Sequence, residues 1–188
     1  QNVRAAGEDV ATGQQVFSAG RQLTAADIGV LASLGLAEAT VFRKLKVAFF
    51  STGDELRSVG EPLGPGEIHD SNRYTLYGML KKLDVEIIDM GVVRDQRDLI
   101  EQAFLDAAAA ADVIITSGGV SVGEADFVKE ILEKLGRMSF WKIAMKPGRP
   151  LAYGRIGRAH FFGLPGNPVS VMVTFYQFVR DALYVLMG

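Results

Sequence analysis

A chain of 188 residues with 48% hydrophobic and 22% charged residues can bury a substantial core, about 70% of its unfolded surface at this length, as one large domain or one domain with a small appendage. The formal net charge of -2, from 20 Lys and Arg against 22 Asp and Glu, argues against a general nucleic-acid binder and confines any basic site to a local cluster. With no cysteine there is neither a disulfide framework nor a thiolate metal site, and two histidines, His69 and His160, cannot build a zinc centre of the usual kind.

Residues 1–44 carry short polar turns, Gly7-Glu-Asp9 and Ala11-Thr-Gly13, around weak strand signals. Thr24 and Asp27 then fit a capping box that opens an apolar run to Leu34, with Gly35 as the stop. This part reads as a small satellite unable to bury much by itself. From residue 45 to 188 strands alternate with helices, the signature of an α/β three-layer sandwich: a mostly parallel sheet with helices on both faces. Strands are expected over 46–50, 85–90, 112–116, 139–145, 151–154 and 159–162, and helices over 72–83, 97–110, 127–135 and 168–187. Asn167 suits an N-cap and Pro168 the first turn of the last helix. Arg155-Ile-Gly-Arg158 reads as a hairpin turn, so an antiparallel pair adjoins the parallel core. The run Val169–Met187 approaches membrane-spanning length, but Gln177, Arg180 and Asp181 interrupt it, so a helix buried on most sides is expected and no membrane association. Neither a basic n-region nor an apolar h-region follows Gln1, so no secretory signal is expected.

In an open parallel sheet ligands bind outside the carboxyl ends of the strands. Here those loops are polar: Ser51-Thr-Gly-Asp-Glu55, Gly91-Val-Val-Arg-Asp95, Ser117-Gly-Gly-Val-Ser-Val-Gly-Glu-Ala-Asp126, Lys146-Pro-Gly-Arg-Pro150 and Gly163-Leu-Pro-Gly-Asn-Pro168. The Ser117–Asp126 turn, between an apolar strand run and an amphipathic one, suits an anion cradle, because glycine lets backbone N–H groups converge on an oxyanion. It matches neither a P-loop nor a dinucleotide fingerprint. Asp95 and Asp126 can each be read as a helix cap or as a ligand, and Glu55 as a solvated loop acid or a ligand. Three acids on separate strand-end loops suit a hard divalent ion such as Mg2+. The segment Phe140-Trp-Lys-Ile-Ala-Met-Lys146 alternates, rooting Lys142 and Lys146 about 13 Å apart on one strand face. Those lysines either bridge an anionic ligand or protect an edge strand. The Gly163–Pro168 turn is either a rigid helix entry or a ligand wall. The two histidines have no acid or nucleophile at motif spacing and read as structural or surface residues.

Taken together, Ser51-Thr-Gly-Asp-Glu-Leu56, Asp70-Ser-Asn72, the Ser117–Asp126 string, Lys142 with Lys146-Pro-Gly148, and Leu164-Pro-Gly-Asn-Pro-Val-Ser170 closely resemble the molybdopterin molybdenumtransferase (MoeA) family. The match runs in order over nearly the whole chain. The resemblance implies a molybdopterin-binding-domain fold in a cytoplasmic, homodimeric enzyme. It would insert molybdenum from molybdate into adenylylated molybdopterin and release AMP in a Mg2+-dependent step, in possible functional contact with the molybdopterin adenylyltransferase. It assigns Glu55, Asp95, Asp126, Lys142 and Lys146 as catalytic, with Glu55, Asp95 and Asp126 as metal ligands. Thr52, Gly53, Ser117, Gly118, Gly119, Ser121, Pro165, Gly166, Asn167 and Pro168 would contact substrate. Asp9 falls where the family has a sensitive acid and equally suits a turn cap. Glu124 has no assigned role.

Two other functions compete with this one: a gephyrin-like scaffold module, and a molybdopterin adenylyltransferase, which shares the Ser-Gly-Gly string. Family members carry a longer amino-terminal region and a small carboxy-terminal domain, and their active site resembles a cleft shared with the partner's carboxy-terminal domain. The chain is therefore expected to be a fragment that binds ligand weakly and turns over nothing alone.

Overall fold

The computed structural model describes residues 3–119 and 125–188, with the side chains of 125–127 and 140–142 outside that description. The chain forms two compact units, Gln1–Arg43 with Met187–Gly188, and Lys44–Leu186.

In the first unit the described residues hold one helix, α1 (Ala25–Ser33), and turns; the weak strand signals form no strand. Its ends are as the sequence dictates. The Asp27 amide donates to Thr24 Oγ1 at 3.4 Å and the Thr24 amide to Asp27 Oδ2 at 2.8 Å, a reciprocal capping box. Gly35 takes φ +75°, and the amides of Gly35 and Leu36 donate to Ala32 and Leu31, closing the helix in a Schellman motif. Arg21 at 2.8 Å and the Thr24 donors hold the Asp27 carboxyl at a pKa of about 2.

The second unit is built on a six-stranded sheet. Its strands are β1 (Lys46–Thr52), β4 (Glu86–Val93), β5 (Val113–Ser117), β6 (Gly136–Lys142), β7 (Pro150–Ile156) and β8 (Ala159–Leu164), in the order β4-β1-β5-β8-β7-β6. β4, β1, β5 and β8 are parallel, and β7 is antiparallel to both β8 and β6. β6 therefore runs in the same direction as the parallel set, and the carboxyl ends of five strands share one rim. The β7–β8 hairpin turns through Gly157 at φ +58° between the paired Ile156 and Ala159, as its sequence predicts. A separate ribbon, β2 (Leu56–Arg57) with β3 (Ile68–His69), carries no apolar alternation that would have marked it in the sequence.

β1 is buried along almost its whole length, as a central parallel strand should be. Alternation sends Ala48 and Phe50 into a cluster with Ile100, Phe104, Ile131 and Leu132 of α3 (Arg97–Ala110) and α4 (Ala125–Leu135). Phe104 meets Phe50 and Phe161 edge-on at 5.3 and 5.4 Å between ring centres. α2 (Ser71–Lys81) packs on β1 and β4 and also on α5 (Pro168–Thr174), which lies against β8.

Several elements differ from expectation. β1 and β4 run past Phe50 and Met90, so Ser51, Thr52 and Gly91–Val93 belong to strands; the pairs Ser51–Val92 and Thr52–Val93 carry the ladder on after a register shift. β6 starts at Gly136, directly after α4, and stops at Lys142, because the following chain curls back so that the Ile143 amide donates to Arg149 O at 2.9 Å. Lys142 and Lys146 thus do not share a strand face; Lys142 ends the edge strand and Lys146 lies in the loop beyond it. The last helical run is not continuous α-helix, since a π-helical turn, Phe175–Val179, joins α5 to α6 (Arg180–Met187). Nor is it buried on most sides: Val171, Thr174, Phe175, Val179 and Leu183 face inward while Val169, Tyr184 and Val185 are exposed. Among the described residues this run, Pro168–Met187, is the one helix long and apolar enough to cross a membrane by composition.

Candidate functional site

The connection leaving β1 travels through α2 to β4 on one side, while that leaving β5 travels through α4 toward β6 on the other. The crevice between the carboxyl ends of β1 and β5 is therefore the topological switch point, where open α/β sheets bind ligands. Thr52 ends β1 and Ser117 ends β5, and both are buried. At Gly118 (φ +87°) an added Cβ would come within 2.5 Å of the Thr52 carbonyl oxygen, and at Gly119 (φ +67°) within 2.7 Å of Thr52 Oγ1. Only glycine satisfies both the backbone conformation and the close approach.

Asn72 in the first turn of α2 joins three elements: its Nδ2 donates to Ser117 Oγ at 2.9 Å and to Gly166 O at 2.7 Å. Asp70 is the N-cap of α2, accepting from the Arg73 amide at 3.1 Å. On the opposite wall Asn167 accepts from the amides of Val169 and Ser170, so the Gly163–Pro168 turn does serve as a rigid helix entry. The Gly118 amide donates to Leu164 O at 3.3 Å, so this glycine spends its N–H on the turn and offers none to an anion.

These elements enclose a cleft of about 110 Å³. Of the predicted site residues it gathers Thr52, Glu55, Ser117, Gly118, Gly166 and Pro168. It adds His69, Asp70, Ser71 and Asn72 from the β3–α2 junction, to which the sequence assigns no site role. Their signal was the helix start itself: an Asp cap after a strand end places its neighbours on the sheet rim.

The Glu55 carboxylate folds over Gly53, 2.7 Å from where a Cβ would stand. Asp95 is tied to the same loop through its amide, which donates to Asp54 Oδ1 at 3.1 Å. The position before α3 is held by Gln96, without a side-chain cap, so Asp95 is not the helix cap. Asp126 falls inside the first turn of α4 rather than before it. Lys146, Pro147 and Gly148 form a tight loop, with Gly148 buried against Met145 and Thr174. Gly53, Asp95, Gly119, Lys146, Pro165 and Asn167 are not among the residues that line the cleft. Ser121 and Glu124 lie outside the described residues, as do the side chains of Asp126 and Lys142.

Two ion pairs brace the β2–β3 side. Arg57 pairs with Glu67, whose carboxyl is held below its usual range first by the Gly64 amide and also by Arg57. Arg73 pairs with Asp89 at 2.7 Å, which raises the guanidinium pKa further. Among the described residues no group of three His, Asp or Glu side chains is gathered to hold a metal. Glu55 and Asp95 lie on loops joined by the hydrogen bond from the Asp95 amide to Asp54.

Three buried polar atoms on cleft residues have no hydrogen-bond partner among the described residues: Thr52 Oγ1, Asp70 Oδ2 and Asn72 Oδ1. Buried polar atoms are rarely left so, and all three belong to residues that line this one cleft.

A cleft at the switch point of a mostly parallel sheet, walled by glycines and orphaned polar atoms, defines a ligand-binding domain of the doubly wound α/β class. Comparison with known proteins makes this specific. Residues 48–184 match the family described as "Probable molybdopterin binding domain", and residues 1–35 match "MoeA N-terminal region (domain I and II)". The chain belongs to the molybdopterin-binding-domain family. It is 54% identical over 188 residues to a molybdopterin molybdenumtransferase of Haemophilus influenzae, covering 100% of this chain and 46% of that protein. It is 41% identical over 180 residues to one of Nostoc sp., covering 94% of this chain and 41% of the relative. The molybdopterin biosynthesis moeA protein of Pyrococcus horikosii has the same fold, with a TM-score of 0.83 at 35% identity over 97% of this chain and 45% of that one. The chain thus spans less than half the length of each of these relatives.

Proposed function

We propose that this chain contributes the pterin-binding and metal-inserting half of a molybdopterin molybdenumtransferase: adenylylated molybdopterin and molybdate enter, and molybdenum-loaded cofactor and AMP leave. The observation that carries the reading is the switch-point cleft with its three orphaned polar atoms, in a chain whose relatives bear that name.

In this reading the cleft orients the pterin between the Thr52–Glu55 and Gly166–Pro168 walls. Lys142 and Lys146, at the same rim, attract molybdate or the pterin phosphate. Glu55 and Asp95, with Asp126, would hold Mg2+, which when bound supplies charge neutralisation at the phosphoanhydride. Gly118 and Gly119 serve close approach of β5 to β1, and the anion contacts fall to residues farther along the turn, Ser121 included. A cytoplasmic homodimer that receives its substrate from the adenylyltransferase belongs to the same proposal, as does the division of the chain into residues 1–44 and 45–188.

AMP release from adenylylated molybdopterin with molybdate and Mg2+, measured in a complete version of the protein that contains this chain, tests it. There Glu55→Gln is expected to lower molybdate-dependent AMP release about 10- to 100-fold, the usual cost of disturbing a metal site, while leaving the thermal midpoint close to unchanged because Glu55 is exposed. Unchanged AMP release would refute the role given to Glu55.

A further inference from the structure

The orphaned atoms share a chemistry. The unpartnered amide atom of Asn72 is Oδ1 and not the nitrogen, because flipping the amide would set oxygen against the Gly166 carbonyl that Nδ2 now serves at 2.7 Å. Asp70, 1% exposed, spends Oδ1 on the Arg73 amide and leaves Oδ2 without a partner among the described residues. Both are acceptors. Thr52 Oγ1, on a residue 5% exposed, can accept as well as donate. A phosphate or molybdate oxygen would find no donor in Asp70 Oδ2 or Asn72 Oδ1 and would face a carboxylate. A ring edge carrying N–H groups would satisfy all three.

We infer that Asp70, with Asn72 and Thr52, forms the subsite that recognises the N–H-bearing pyrimidine edge of the bound heterocycle, and so sets specificity for a ring with an exocyclic amino group. This rests on the pterin reading above and adds to it which end of the ligand enters the cleft and which residues read it. The anionic end of the ligand then lies away from the Asp70 wall.

The test uses the 188-residue chain and two fluorescent probes: pterin, with an amino group at ring position 2, and lumazine, with a carbonyl there. The unsubstituted chain is expected to prefer pterin by about tenfold or more, the worth of a hydrogen bond to a charged acceptor. Asp70→Asn keeps the helix cap, since Asn caps as well as Asp, but turns one acceptor into a donor or an amide oxygen; the preference should fall to within about threefold of unity. Thr52→Val is the second variant. It removes an unpartnered buried hydroxyl, so the free chain should melt at the same temperature or higher while its pterin affinity drops. Preference retained in both variants would overturn the subsite while leaving the pterin reading standing. Failure of the unsubstituted chain to bind either probe would overturn the subsite and the pterin reading together. Loss in Asp70→Asn of a Mg2+ site that forms without pterin, with the ring preference intact, would likewise overturn the subsite.

Discussion

Gly118→Ala is expected to abolish ligand binding and to destabilise the sheet unit by about 2–5 kcal/mol. Two effects add. An alanine at φ +87° carries about 1–2 kcal/mol of backbone strain. Its Cβ would also stand 2.5 Å from the Thr52 carbonyl oxygen, and overpacking of this kind costs about 1–3 kcal/mol more. Because that oxygen belongs to the end of a central strand, relief requires β1 and β5 to part at the cleft that Thr52, Ser117 and Gly118 line. Gly60→Ala is the comparison: at φ +95° with nothing within 4 Å of its Cβ, it should show the strain term alone and leave binding intact. Denaturant midpoints of the two variants check this. Equal losses would mean that the close approach contributes nothing.

Phe104→Ala should cost about 3–5 kcal/mol, the usual range for deleting a buried phenyl ring. Phe104 is 1% exposed and is the ring that both Phe50 of β1 and Phe161 of β8 meet edge-on, so its loss leaves a cavity under two parallel strands. Leu105, its neighbour in sequence, is 44% exposed, and Leu105→Ala should change stability by less than about 0.5 kcal/mol. Equilibrium unfolding in urea resolves the difference. A small loss at Phe104 would place the core elsewhere. At saturating ligand the Phe104 variant should still bind, which separates a core defect from the site defect at Gly118.

The alternation of strand and helix runs was legible because the inner parallel strands β1, β5 and β8 are buried on both faces while α2 and α3 bury one, so the period changes with the element. Thr24, Asp27 and Gly35 show how local chemistry alone marks a helix start and stop: every cap they suggested is present in α1. The hairpin at Gly157 was legible for the same reason. What failed were features set by tertiary pairing. β6 occupies Gly136–Lys142 because its partner β7 lies opposite from Ile156 to Pro150, a register that the alternation of 140–146 could not reveal. The two-residue strands β2 and β3 are too short for any period.

In the site, Thr52, Glu55, Ser117, Gly118, Gly166 and Pro168 were legible as residues at or just beyond the carboxyl ends of strands. Asp70 and Asn72 were less so, since a helix-capping Asp and a surface-type Asn look ordinary in sequence. Their importance comes from bonds spanning 45 and 94 residues, from Asn72 to Ser117 and to Gly166. The first glycine of the Ser117–Asp126 turn also changed its role: Gly118 permits strand approach and gives its N–H to Leu164, where the sequence alone suggested an anion contact.

Hydrogen–deuterium exchange of this chain with and without adenylylated molybdopterin tests the location of the site most directly. Protection is expected at residues 52–56, 68–72, 117–118 and 166–168, all at the carboxyl rim around the cleft. Protection confined to the opposite rim, at the 156–159 hairpin and the starts of β1, β4 and β5, or none at saturating ligand, would contradict it.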